Sequence, residues 1–150
     1  MARVSVQAED IDVAAEISAA VHDRTDLGAV VTFTGVCRDE GGTLAALEIE
    51  HYPGMAEAEI ARIAATAETR WDLGTCRVIH RYGVLKPGEV IVLVVTASRH
   101  RKDAFSAAEF LMDYLKTDAP FWKKTRPTDR SAGRWIDARA QDSAAVERWR

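Results

Sequence analysis

A chain of 150 residues is long enough for one domain that buries roughly 70% of the surface its unfolded form exposes. With 47% hydrophobic and 29% charged residues it is composed like a globular protein, and a net charge of −3 argues against one that grips nucleic acid through the backbone. Two cysteines without metal or CxxC spacing, no apolar leader and no run of ~18 apolar residues predict a cytoplasmic protein with free thiols and no membrane contact.

Residues 10–22, DIDVAAEISAAVH, put Ile11, Ala14, Ala15 and Ser18 on one helical face, which Val21 continues. The β-branched run from Val30 to Thr34 predicts a strand that ends in a polar, glycine-containing loop. In LAALEIEHY, Leu47 and Ile49 alternate with Glu48 and Glu50, the pattern of a strand with one wet face. PGMAEAEIARIAATAETRW is the clearest helix, with Ile60, Ile63 and Ala67 in a stripe behind a Pro-Gly start. CRVIHRYGVLKPGEVIVLVVTAS predicts two strands joined by the turn KPGE, and the second is apolar enough to be central in a sheet. RKDAFSAAEFLMDYLKTDA predicts a third helix with Ala104, Ala108, Leu111 and Leu115 on one face. From Pro120 onward, FWKK and GRWIDARA predict short extended pieces. Hairpins outnumber crossovers, so the expected class is α+β, a mainly antiparallel sheet flanked by helices, as a single domain over 1–150.

Basic residues gather in three places. Arg38 lies in the loop after the first strand, Arg99–Lys102 where the apolar strand meets the third helix, and Lys116, Lys123, Lys124 and Arg126 around that helix's far end. The strand-to-helix junction offers free N–H groups and the positive dipole end, so Arg99, His100 and Arg101 there suit an anion such as phosphate. The bland reading of RHRK is a solvated helix start. Lys116 also has one, since a cation favours a helix C-terminus. In an extended segment Phe121 and Lys123 share one side, and Trp122 and Lys124 the other. The functional reading is a pocket half apolar and half cationic, suited to a flat anionic small molecule. A lysine crowded by cations and partly desolvated has a lowered pKa and can serve as base or nucleophile.

His51 and His80 read as packed or surface strand residues, and His22 as a helix-end residue. No histidine pair has ligand spacing, and there is no dinucleotide or phosphate-loop fingerprint, so neither metal nor cofactor is expected. Cys37 beside Arg38 is a weak candidate for an activated thiol. Two other classes remain open on these residues alone: a single-strand nucleic-acid binder that stacks bases on the aromatics, and a non-catalytic module that docks a protein tail.

GAVVTFTGVCRD, LEIEHYPGM, VIHRYGVLKPGE, DYLKTDAPFWKK and RWIDAR, in this order over residues 28–139, resemble the large, catalytic subunit of molybdopterin synthase. The resemblance implies an α/β-hammerhead fold. It also implies a sulfurtransferase that installs the two dithiolene sulfurs of molybdopterin on cyclic pyranopterin monophosphate, in molybdenum cofactor biosynthesis. The sulfur arrives as a thiocarboxylate on the C-terminal Gly-Gly of a small ubiquitin-like carrier subunit. Two large subunits form a central homodimer with one carrier at each end, a heterotetramer. Carried over by position, Lys116 and Lys123 are the implied catalytic lysines. Val36, Cys37, Arg38, His100, Arg101, Lys124, Thr125 and Arg139 join them in the implied substrate-binding set, Arg139 reaching a neighbouring subunit's pocket.

Overall fold

The computed structural model describes residues 2–136 and 140–150. In chain order the elements are β1 (Arg3–Gln7), α1 (Val13–Val21), β2 (Ala29–Val36), β3 (Leu44–His51), α2 (Met55–Arg70), β4 (Leu73–Arg81), β5 (Gly83–Leu85), β6 (Val90–Ser98), α3 (Arg101–Thr117), β7 (Phe121–Pro127), β8 (Trp135–Ile136) and α4 (Ala140–Glu147). They form two four-stranded sheets, ordered β1-β4-β6-β2 and β5-β3-β7-β8. Among the described residues β1 and β4 run parallel and the other five pairings are antiparallel, in line with the expected α+β class.

The apolar run of β6 is explained by burial on both faces. Val92 and Val94 pack under α2 and α3 with Ile60, Ile63, Ala67 and Leu111. Leu93 and Val95, facing the opposite way, pack with Ile79 beneath Ile17 and Ala20 of α1. A second core forms around Leu44, Leu47, Ile49 and Leu85 of the other sheet, closed by Cys37 and Ile91. The chain end is fixed by Trp149, whose ring lies edge-on to Trp71 and Phe110 and whose Nε1 donates to Asp113 at 2.6 Å.

The structure departs from the sequence reading in three places. β1 precedes α1: RVSVQ is only five residues long, but Val4 and Val6 reach the core beside β4. The first strand of the VIHRYGVL segment is two strands in different sheets. Gly83, at φ +99°, provides the left-handed backbone where the chain leaves β4 and enters β5. The expected single sheet is therefore two. Third, α4 follows β8, where only extended chain was expected.

β2 carries a register shift between Gly35 and Val36, just before the chain turns towards Cys37. A Cβ on Gly35 would stand 2.6 Å from Val92 Cγ1, inside a closely packed sheet face. Gly35→Ala is expected to lower stability by about 1–3 kcal/mol through overpacking. Denaturant unfolding measures this, and an unchanged midpoint would contradict the packing described.

Candidate active site

Three separate segments converge on one cavity of about 560 Å³. The first is the end of β2 and its loop. Cys37 donates its N–H to Glu89 O at 2.8 Å, and Gly88 N–H donates to Cys37 O at 2.7 Å, so the loop is stapled to the turn before β6. This holds Val36, Cys37 and Arg38 in the cavity wall. The second is the last turn of α3, which places Leu115, Lys116 and Thr117 there. The helix stops at once: Asp118 N–H closes on Tyr114 O at 2.7 Å, and Pro120 cannot continue the ladder. The third is β7, paired to β3 with Phe121 opposite His51, Lys123 opposite Ile49 and Thr125 opposite Leu47. Period-two alternation sends Phe121, Lys123 and Thr125 into the cavity.

Trp122 and Lys124 take the other face. Trp122 is exposed, and Lys124 Nζ lies 5.6 Å from the centre of the Trp135 ring. Of the aromatic pair only Phe121 forms cavity wall. His100 and Arg101 are exposed at the start of α3. Fifteen helical steps separate Arg101 from Lys116, about 22 Å at 1.5 Å per residue, so one chain does not bring that pair to the lysines. Arg139 lies outside the described residues.

Among the described residues the cavity is lined by three cationic side chains, Arg38, Lys116 and Lys123, and by the carboxylates of Glu40 and Asp142. Burial is the main cause that lowers Lys123 to about 8, and the Lys116 charge lowers it further, while Asp142 and Cys37 oppose. The Cys37 thiol moves the other way. Burial raises its pKa, as do the nearby charges of Glu89 and Asp39, so the thiol is held protonated rather than activated.

His80, read from sequence as a packed or surface residue, is packed and also lines the cavity. The signal was its phase in β4: Cys76, Val78 and His80 alternate onto one face, and that face ends at the cavity. Asp142 had no sequence signal, because α4 was not foreseen. Burial holds His80 down to about 3, from an ordinary 6.5, with the charges of Lys123, Lys116 and His51 adding and the Arg81 carbonyl opposing. As pH falls from 6.5 towards 3, the unfolded chain takes up a proton the folded chain refuses. This contribution to stability is complete above pH 6.5 and is lost through that window. Unfolding midpoints measured across it are expected to drop, and to drop less steeply in His80→Phe. An identical acid limb in the variant would assign the loss elsewhere.

Two lysines and an arginine over an apolar floor, on an α+β scaffold, are chemistry suited to a small anionic ligand. Comparison with known proteins makes this particular: the MoaE protein family matches residues 6–118, and the chain belongs to that family. The molybdopterin synthase catalytic subunit of Mesorhizobium japonicum is 61% identical over 147 residues, covering 98% of this chain and 92% of the relative. The molybdopterin biosynthesis MoaE protein of Burkholderia ambifaria superposes with a TM-score of 0.85 at 46% identity, covering 99% and 98% of the two chains. The Helicobacter pylori complex of subunits 1 and 2 of molybdopterin-converting factor contains a chain of the same fold, TM-score 0.73 at 19% identity over 92% and 91%. Family membership makes this an enzyme of molybdenum cofactor biosynthesis, of the sulfurtransferase class to which molybdopterin synthase belongs.

Proposed function

We propose that residues 1–150 act as one cytoplasmic domain that transfers sulfur to cyclic pyranopterin monophosphate at the cavity between α3, β7 and the loop after β2. The observation that carries this is the placement of a half-buried Lys123, lowered to about 8, in the same wall as Lys116 and Arg38. A phosphate-bearing heterocycle fits both halves of such a site: its anion meets the cations and its ring meets Phe121 and Ile91. The sulfur donor is the C-terminal thiocarboxylate of a small carrier subunit, and the two-subunit Helicobacter pylori complex supports a partner of that kind.

Lys116 stabilises the negative charge that develops as the thiocarboxylate sulfur attacks, and stands where it can capture the carrier's acyl group. Lys123, neutral in part at physiological pH, moves the proton. Two sulfurs need two carriers, so the half-sulfurated intermediate stays bound while the first carrier leaves. Several cations hold it better than one.

His100 and Arg101 enter this scheme through a second copy of the chain. The homodimer places one copy's α3 start at the other's cavity. Lys116→Ala and Arg101→Ala are each expected to be inactive alone. Mixed and re-equilibrated, they are expected to recover about a quarter of the activity, since half the dimers then carry one intact site. No recovery would confine each site to one chain. The function itself is tested by expression in a bacterial strain lacking its own catalytic subunit. Restored molybdoenzyme activity is the expected result; a folded chain that binds carrier but restores nothing would make it a docking module.

A further inference from the structure

One polar atom in the cavity wall has no task in that scheme. His80 is 5% exposed, and its ring stacks on Phe121 with centroids 3.8 Å apart and planes 12° from parallel. Nδ1 lies 2.7 Å from the Arg81 carbonyl oxygen. A carbonyl only accepts, so Nδ1 carries the proton and donates it. The neutral ring then leaves Nε2 as a bare acceptor. The backbone contact fixes the tautomer and Phe121 fixes the plane. No hydrogen bond to Nε2 occurs among the described residues, and the atom is not one of the fully buried unpartnered ones, so it is open to the cavity. The ring borders both the main cavity and a recess of about 60 Å³, walled by Phe33, Val92 and Met112 together with Lys116 and Lys123.

The other polar groups nearby do not duplicate this atom. Arg38, Lys116 and Lys123 are cationic donors. The wall hydroxyls already bond to the backbone: Thr117 Oγ1 donates to Asp113 O at 3.0 Å, and Thr125 Oγ1 accepts from Arg134 N–H at 3.1 Å. Glu40 and Asp142 are acceptors but charged, so ammonium groups compete for them. His80 is a neutral acceptor in a wall it shares with Phe121, Ile91 and Leu115 as well as Lys116 and Lys123, and an unmatched N–H buried against it would be costly.

We propose that His80 Nε2 is a substrate-positioning acceptor that takes a hydrogen bond from an N–H of the heterocycle whose anionic end lies on the cations. This rests on the substrate class proposed above. The ring neither gains nor loses a proton. It fixes which edge of the substrate points inward, and so which carbons face the incoming sulfur.

The test compares His80→Phe, which keeps an aromatic ring on Phe121 without either nitrogen, with His80→Gln, which returns an acceptor near the Nε2 position. KM and kcat are measured for cyclic pyranopterin monophosphate with saturating thiocarboxylated carrier. Substrate Kd is measured by titration without carrier, and inorganic phosphate is tested as a competing ligand. His80→Phe is expected to raise KM and Kd about 10–100-fold, the scale of leaving a buried donor unpaired. The phosphate inhibition constant should hold, and His80→Gln should recover most of the loss. If KM and Kd stay unchanged in His80→Phe, or if phosphate inhibition weakens in step with them, His80 is only a structural residue. If His80→Phe fails to fold, His80→Leu enters the same comparison. Absence of product from the unaltered chain would count against the sulfur-transfer reading, and the substrate titration would still decide the role of His80.

Discussion

Lys116→Ala is expected to fold normally and to lose sulfur transfer by at least about 10²–10³-fold, the usual effect of removing one electrostatic contact to a charged transition state. The fold should tolerate the change because Lys116 is exposed and makes no ion pair among the described residues. Its main structural contribution is a cation on the last turn of α3, worth about 0.3–1 kcal/mol. Circular dichroism and an unfolding curve separate the two effects. Lys116→Arg refines the role, because it keeps the positive charge but cannot form an isopeptide with the carrier. Partial activity in that variant would make the charge sufficient, and complete loss would make the amine itself the reacting group. Normal turnover in Lys116→Ala would remove Lys116 from the chemistry.

Lys123 is expected to leave its mark on the pH profile. Burial and the Lys116 charge hold it at about 8, so the neutral amine is the minor form at pH 7 and the major form above pH 8. A step that needs the free amine speeds up as pH rises and levels off above that point, so kcat/KM should climb with an apparent pKa near the Lys123 value. Lys123→Arg keeps a cation that does not deprotonate in this range, and should lose about 10²–10⁴-fold, the scale of general acid–base catalysis. Lys123→Met should lose as much. A Lys123→Arg variant with the parental rate and slope would show that only the charge at this position matters.

The parts of the fold legible in the sequence are those with a strong local period. The stripe of α2 is buried at Ile60, Ile63 and Ala67, and that of α3 at Ala104, Ala108, Leu111 and Leu115. The apolar β6 is central because both of its faces are covered. What stayed hidden depends on long-range partners. β1 gains its place only by lying beside β4, whose paired residues are 74 positions on. The division between β4 and β5 turns on one glycine's positive φ, in a stretch whose residues all suit a strand. The last helix is held by Trp149 against Trp71 and Phe110, contacts that no local pattern announces.

The same division runs through the site. Lys123 beside Phe121 was legible, because strand alternation alone puts them on one side and sends Lys124 to the other. That Lys116 belongs with them was one of two readings of the sequence, since a lysine at a helix end also has an ordinary explanation. His80 escaped because a histidine in a strand is usually packing, and its stack on Phe121 joins residues 41 positions apart. His100 and Arg101 were grouped with the lysines by resemblance, yet the length of α3 separates them within one chain.

The most direct test mixes the purified chain with thiocarboxylated carrier and cyclic pyranopterin monophosphate and assays the dithiolene product as its oxidised fluorescent derivative. Product formed by the unaltered chain and absent with Lys116→Ala is the expected result, and places sulfur transfer in the cavity at the end of α3. No product from a folded chain that binds the carrier, or equal product from the variant, would contradict it.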